Sequence, residues 1–201
     1  MEQTINLITL RGMLHSLPVF SHENHGRRFW RFTLEVPRLS GTVDLLPVIA
    51  DEVAVMTLDP FAGLMITVTG QIRSHNIRNE TGRHLMVFVF ASTLTVEDGE
   101  PLNHVTLEGV ICKEPTFRRT PLGRQICDVM LAVPRAFHRA DYLPCIIWGR
   151  TARQIAELPV GQYIQLSGRL QSRTYTKITN EGTQERTAYE ISVLTAEAVI
   201  E

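Results

Sequence analysis

Apolar and polar residues alternate along most of this chain, with Val105, Leu107, Gly109 and Ile111 forming one run and Ile164, Leu166, Gly168 and Leu170 another. A period of two is that of a half-buried β-strand. Helical spacing is convincing only over Thr151 to Leu158, which stops before Pro159 and Gly161 as a helix should. Its counterpart runs from Asp51 to Leu58, ahead of Pro60 and Gly63.

The pattern occurs twice. Asn6-Leu7-Ile8-Thr9-Leu10-Arg11-Gly12 recurs as Asn103-His104-Val105-Thr106-Leu107-Glu108-Gly109. The same displacement of 97 residues carries Leu34-Glu35-Val36-Pro37-Arg38 onto Leu131-Ala132-Val133-Pro134-Arg135, and Asp44-Leu45-Leu46-Pro47 onto Asp141-Tyr142-Leu143-Pro144. After one inserted residue, Gly63 and Val68-Thr69-Gly70 fall on Gly161 and Leu166-Ser167-Gly168. Such internal repetition divides the chain into domains 1–98 and 99–201, joined at the turn-forming Asp98-Gly99-Glu100-Pro101. Each copy reads as strand, turn, strand, strand, helix, strand, long hairpin, strand. Five strands with one short helix after the third is the order of a Greek-key OB-fold barrel, so the expected class is all-β, two OB-folds in tandem.

Composition narrows the function. The 201 residues are 44% hydrophobic, which excludes disorder. No apolar stretch approaches the roughly 20 residues of a membrane helix, and Met1-Glu2-Gln3-Thr4 lacks the basic flank of a signal peptide. A cytoplasmic, nucleoid-associated chain with no membrane partner is expected. Cys112, Cys127 and Cys145 have no C-x-x-C spacing, so they are read as reduced thiols rather than metal ligands or a disulfide. Total charge is balanced, 20 Lys+Arg against 21 Asp+Glu, which at first argues against a nucleic-acid partner. It is unevenly divided: residues 1–98 hold eight against ten, residues 99–201 twelve against eleven.

The second copy carries more than a pattern. Asn103-x-Val105-x-Leu107-x-Gly109, Glu114-Pro115-Thr116-Phe117-Arg118, Gly123, Leu131 to Arg135, Ile146-Ile147-Trp148-Gly149-Arg150 and Gly168-Arg169-Leu170-Gln171-Ser172-Arg173-Thr174-Tyr175 resemble the bacterial single-stranded DNA-binding protein family over about residues 103–199. The first copy matches only at scaffold positions. The resemblance implies sequence-tolerant binding of single-stranded DNA by OB-folds assembled four to a particle, in replication, recombination or repair. It also implies a Gly- or Pro-rich tail ending in acidic residues that recruits replication and repair enzymes. This chain stops at Ala198-Val199-Ile200-Glu201 directly after its last strand, so recruitment through such a tail is not expected.

Stacking needs flat apolar faces, and phosphates need cations. Trp148 at the end of the third strand and Tyr175 beyond the fourth lie where the family places stacking aromatics; Phe117 and Tyr142 are further candidates. With Leu166 and Leu170 pointing inward, Arg169, Gln171 and Arg173 share the outer face. Arg118, Arg119, Arg124, Arg150 and Lys177 complete the cationic set. In the first copy Ile77 stands for Tyr175, Gln71 for Arg169 and His75 for Arg173, while Trp148 aligns with Ala50 or Asp51. Trp30 is in register with Phe32 and Leu34 and is read as core, with Phe29 and Arg31 on the opposite face. The second domain is therefore expected to bind and the first to serve as scaffold for oligomerisation.

His22-Glu23-Asn24-His25 is one residue short of the helical i, i+4 zinc pair and falls in a turn. No phosphate-binding Gly-rich loop or nucleophile elbow is present, so no catalytic residue, metal or cofactor is assigned. The expected partners are single-stranded DNA, a second copy giving a homodimer of four folds through open strand edges, and replication or repair proteins. Two other readings stay open: a primosome-type accessory protein docking onto a helicase loader, and an OB-fold assembly module without nucleic acid, favoured if the aromatics are buried. RNA also stays open, because stacking does not read the sugar.

Overall fold

The structure, a computed structural model, describes residues 5–79, 82–179 and 182–199. The first half runs β1 (Asn6–Leu14), β2 (Val19–Asn24), β3 (Arg27–Pro37), β4 (Val43–Asp51), α1 (Glu52–Met56), β5 (Met65–Asn79) and β6 (Gly82–Val96). The second repeats it as β7 (Leu102–Ile111), β8 (Thr116–Arg119), β9 (Gln125–Arg135), β10 (Arg139–Trp148), α2 (Gly149–Ala156), β11 (Tyr163–Thr179) and β12 (Gly182–Ala198). These are two OB-folds in tandem. Each has one strand more than the alternation predicts, because the segments read as turns contain the short strands β2 and β8. Neither has a buried face, so neither leaves a period in the sequence. Both helices are shorter than or offset from their expected spans.

Barrel closure follows the same plan in both halves: β1 pairs with β3 and β7 with β9, while β4–β6 and β10–β12 are parallel. Alternating residues such as Leu10, Leu34, Leu46 and Ile66 fill the first barrel, and Leu107, Leu131, Leu143 and Leu166 the second. Gly168 sits at a bulge between β11 and β12, where an added Cβ would collide with the Ser192 carbonyl oxygen; Gly70 is in the same position against Phe90. Close backbone approach explains why glycine recurs there.

The two folds meet edge to edge. β1 and β7 pair antiparallel with Ile8 opposite Val105, its own counterpart in the repeat, so the halves are related by a pseudo-dyad. The open edges expected to join separate chains are thus used within this one, and the twelve strands form a continuous sheet.

A second pair of contacts locks the halves and gives the repeated Asp-x-Leu-Pro a role. Asp44 is fully buried and accepts hydrogen bonds from Arg38 (2.6 and 2.7 Å) and from the backbone N–H and hydroxyl of Ser172 (2.7 and 2.8 Å) in the other fold. Asp141, also fully buried, accepts from the Ser74 N–H at 2.8 Å and from Arg73 at 3.1 Å, with Arg135 at 3.4 Å. Burial pushes the Asp44 carboxyl up, yet the bonds from Arg38 and Ser172 outweigh it and hold the group below the usual carboxylate range. Both carboxylates are therefore paired inside the interface, where a lone charge would be costly.

Candidate nucleic-acid interface

Strand β10 alternates until its last turn: Leu143, Cys145 and Ile147 point into the barrel, while Tyr142 and Trp148 point out. Trp148 then serves as the N-cap residue of α2 and remains 36% exposed. Its indole Nε1 donates to the Ser192 hydroxyl at 3.2 Å, which fixes the ring against β12. Ser192 in turn lies opposite Arg169 on β11, so Trp148, Ser192 and Arg169 form a row across three strands. The Arg169 Nε is buried without a hydrogen-bond partner among the described residues, leaving a donor for a ligand.

The next residues outward continue that face. Gln171 donates to the buried Glu190 at 2.9 Å and Arg173 does so at 3.3 Å, while the Arg173 guanidinium lies 5.5 Å from the Tyr175 ring centre. Tyr175 lies within β11 rather than beyond it and is half-buried, lining a groove with Leu85 and Pro144. The hairpin arm shows no apolar partner for it locally; the partners come from the other fold and from β10.

The remaining candidates surround this face. Phe117, Arg118 and Arg119 are exposed on β8, two strands beyond β10, and Phe117 is 39% exposed. Arg118 is engaged by both carboxylate oxygens of Asp128, the second at 3.1 Å, and is less available than its exposure suggests. Arg124 is exposed in the turn before β9. Arg150 and Arg153 line an open hollow of about 350 Å3 with Gln125 at the start of α2. Tyr142 is 45% exposed at the opposite end of β10, about 20 Å from Trp148 by strand rise. The Lys177 side chain lies outside the described residues.

Two residues escaped the sequence reading. Phe137 is 91% exposed at the β9–β10 turn, with Arg135 and Arg139 beside it; the signal available was an aromatic among cations. Glu190 is a buried carboxylate in the face of Trp148 and Tyr175 that orders Gln171 and Arg173, and nothing in the local sequence marks it.

In the first fold Asp51 is the N-cap of α1, so it is the counterpart of Trp148. The Val53 N–H and Arg27 hold its carboxyl below the usual range. Arg27, over the Phe29 ring, pairs with Asp51 at 2.9 Å, and Arg28, over Phe20 and Trp30, pairs with Glu52 at 2.8 Å, so the cations nearest these aromatics are already matched. Trp30 packs against the core and donates to Glu52 at 3.2 Å. Phe29, placed on the opposite face, is nonetheless buried, covered by the His22 ring stacked at 5.0 Å and by Phe90 at 5.6 Å. His22 itself lies on β2 rather than in a turn.

All three cysteines are free. Burial, with Asp128 nearby, pushes the Cys127 thiol up to about 11, and burial pushes Cys145 further up, so neither is a reactive thiolate. Among the described residues no three His, Cys, Asp or Glu side chains converge to hold a metal, and no helix is long and apolar enough to cross a membrane.

Residues 102–199 match the single-strand binding protein family. The single-stranded DNA-binding protein of Bacillus cereus is 37% identical over 105 residues, 49% of this chain and 58% of the relative. Single-stranded DNA-binding protein A of Bacillus subtilis is 38% identical over 81 residues, 37% of this chain and 47% of the relative. The chain spans about half the length of the curated relatives it matches. The wild-type single-stranded DNA binding protein from Thermus aquaticus superposes with a TM-score of 0.80 at 21% identity, over 99% of this chain and 95% of that one. That likeness establishes the fold over both halves.

Proposed function

Residues 102–199 of this chain belong to the single-strand binding protein family, and on that premise we propose that the chain binds single-stranded DNA without strong sequence preference, in replication, recombination or repair. The observation that carries this is the continuous face on β10, β11 and β12 where Trp148, Arg169, Gln171, Arg173 and Tyr175 gather. Bases stack on Trp148 and Tyr175, which is sequence-tolerant because every base has a π-face. Arg169 and Arg173, with Arg119, Arg124 and Arg150 beyond them, neutralise phosphates, and Glu190 keeps Gln171 and Arg173 oriented. Exposure of Trp148, Phe117 and Tyr142 disfavours the assembly-module reading, which needs these rings covered. The role is binding, with no group transferred. The first fold is a scaffold, because Arg27 and Arg28, the cations over its rings Phe29, Phe20 and Trp30, are held by Asp51 and Glu52.

The second expected partner is another copy of the chain. The outer face of β5, β1, β7 and β11 crosses the pseudo-dyad and carries the 52% exposed Leu7, with Ser167 bonded to Thr195 at 2.7 Å on the neighbouring strands. A copy laid on this face gives a homodimer of four folds. One sedimentation experiment with labelled oligo-dT tests both statements. The protein alone should sediment at about twice its 22.7 kDa chain mass, and the label should travel with it. Log K should fall with log salt by about 0.7 per neutralised phosphate, hence by roughly 3 for four or five arginines. A free label at low salt would refute the binding, and a monomer mass would refute the dimer.

A further inference from the structure

The two folds are locked so that the β5–β6 arm of the first lies against the second, with Ser74 on β5 bound to Asp141 on β10. Between them is a groove of about 450 Å3, within the roughly 300–1,000 Å3 range of small-ligand pockets. His84 and Leu85 line it from the first fold, and Pro144, Tyr175, Arg186 and Tyr189 from the second. The groove opens from the binding face itself, since Tyr175 belongs to both.

Three features point to its occupant. Tyr175 and the His84 imidazole supply flat rings, and Leu85 and Pro144 supply apolar walls. The His84 Nδ1 is buried without a hydrogen-bond partner among the described residues, so a donor or acceptor, according to tautomer, is left for a ligand's polar edge. Tyr175 also joins the groove to the face that carries Arg169 and Arg173, so a strand held on that face reaches it. A nucleobase of a strand held on that face has this combination of flat face and polar edge.

We propose that the first fold completes a nucleobase subsite on the second, with His84 and Leu85 forming one wall and Tyr175 the other. The subsite rests on the single-stranded DNA reading and adds a contact from the fold that otherwise acts as scaffold. It exists once per chain. Across the pseudo-dyad the position of Tyr175 is held by Ile77, which offers no ring.

The test uses the full chain and fluorescein-labelled oligo-dT, with 5-iodouracil at scattered positions for photo-cross-linking. Removing one stacking wall by His84→Ala should weaken binding about five- to tenfold at an unchanged melting temperature. Cross-linked wild-type protein should yield the peptide containing His84 and Leu85. If His84→Ala melts early, the wild-type cross-link decides alone. Unchanged affinity in a folded His84→Ala, or cross-links confined to residues 102–199, overturns the subsite. Trp148→Ala should still weaken binding in that case, which preserves the broader reading; a wild type that binds no oligo-dT overturns both.

Discussion

Replacing Trp148 and Tyr175 together by alanine is expected to weaken oligo-dT binding by about 2–6 kcal/mol, roughly 30-fold to four orders of magnitude, since each stacked base contributes about 1–3 kcal/mol. The two rings stand on the same sheet face but make separate contacts, Trp148 with Ser192 and Tyr175 with Arg173, so the losses should be close to additive. Neither ring supports the barrel interior, and the variant should fold. Trp30→Ala is the matched control: its indole packs against the core of the first fold, so it should lower stability and leave affinity within about threefold. Fluorescence anisotropy across the set decides the matter. A double-variant loss under threefold, or an equal loss from Trp30→Ala, would contradict the assignment.

The largest stability effect is expected at the carboxylates between the folds. Asp141→Ala should cost about 3–5 kcal/mol, because it strips a fully buried partner from Arg73 and Arg135 and orphans the Ser74 N–H. Asp44→Ala should cost a similar amount through Arg38 and Ser172. Asp141→Asn can still accept from the Ser74 N–H, so its loss should be smaller. Urea unfolding measures all three, and a change below about 1 kcal/mol in both alanine variants would show that the folds are held by the β1–β7 pairing alone.

Period-two alternation and the 97-residue displacement made both barrels legible, because strands with one buried face record their burial in sequence. Strands β2 and β8 were not legible, since both of their faces are exposed. The Asp-x-Leu-Pro repeat was visible as a repeat and silent about its purpose, because Asp44 meets its partner Ser172 128 residues away. The same distance hid the environment of Tyr175, whose apolar neighbours Leu85 and Pro144 are remote in sequence. Parity placed Arg169 and Arg173 correctly on one face but could not reveal Glu190 between Gln171 and Arg173. On β3 parity failed for Phe29, since the outer face there is covered by His22 and Phe90.

The central claim is that the second fold holds the strand and the first supports it. Hydrogen exchange of the full chain with and without saturating oligo-dT tests it most directly, because it locates the footprint without mutation. Slowed exchange on β8, β10, β11 and β12, reaching the first fold only at the start of β6 around His84, is the predicted result. Protection centred on β2, β3 and β4, or spread equally over the two folds, would contradict it.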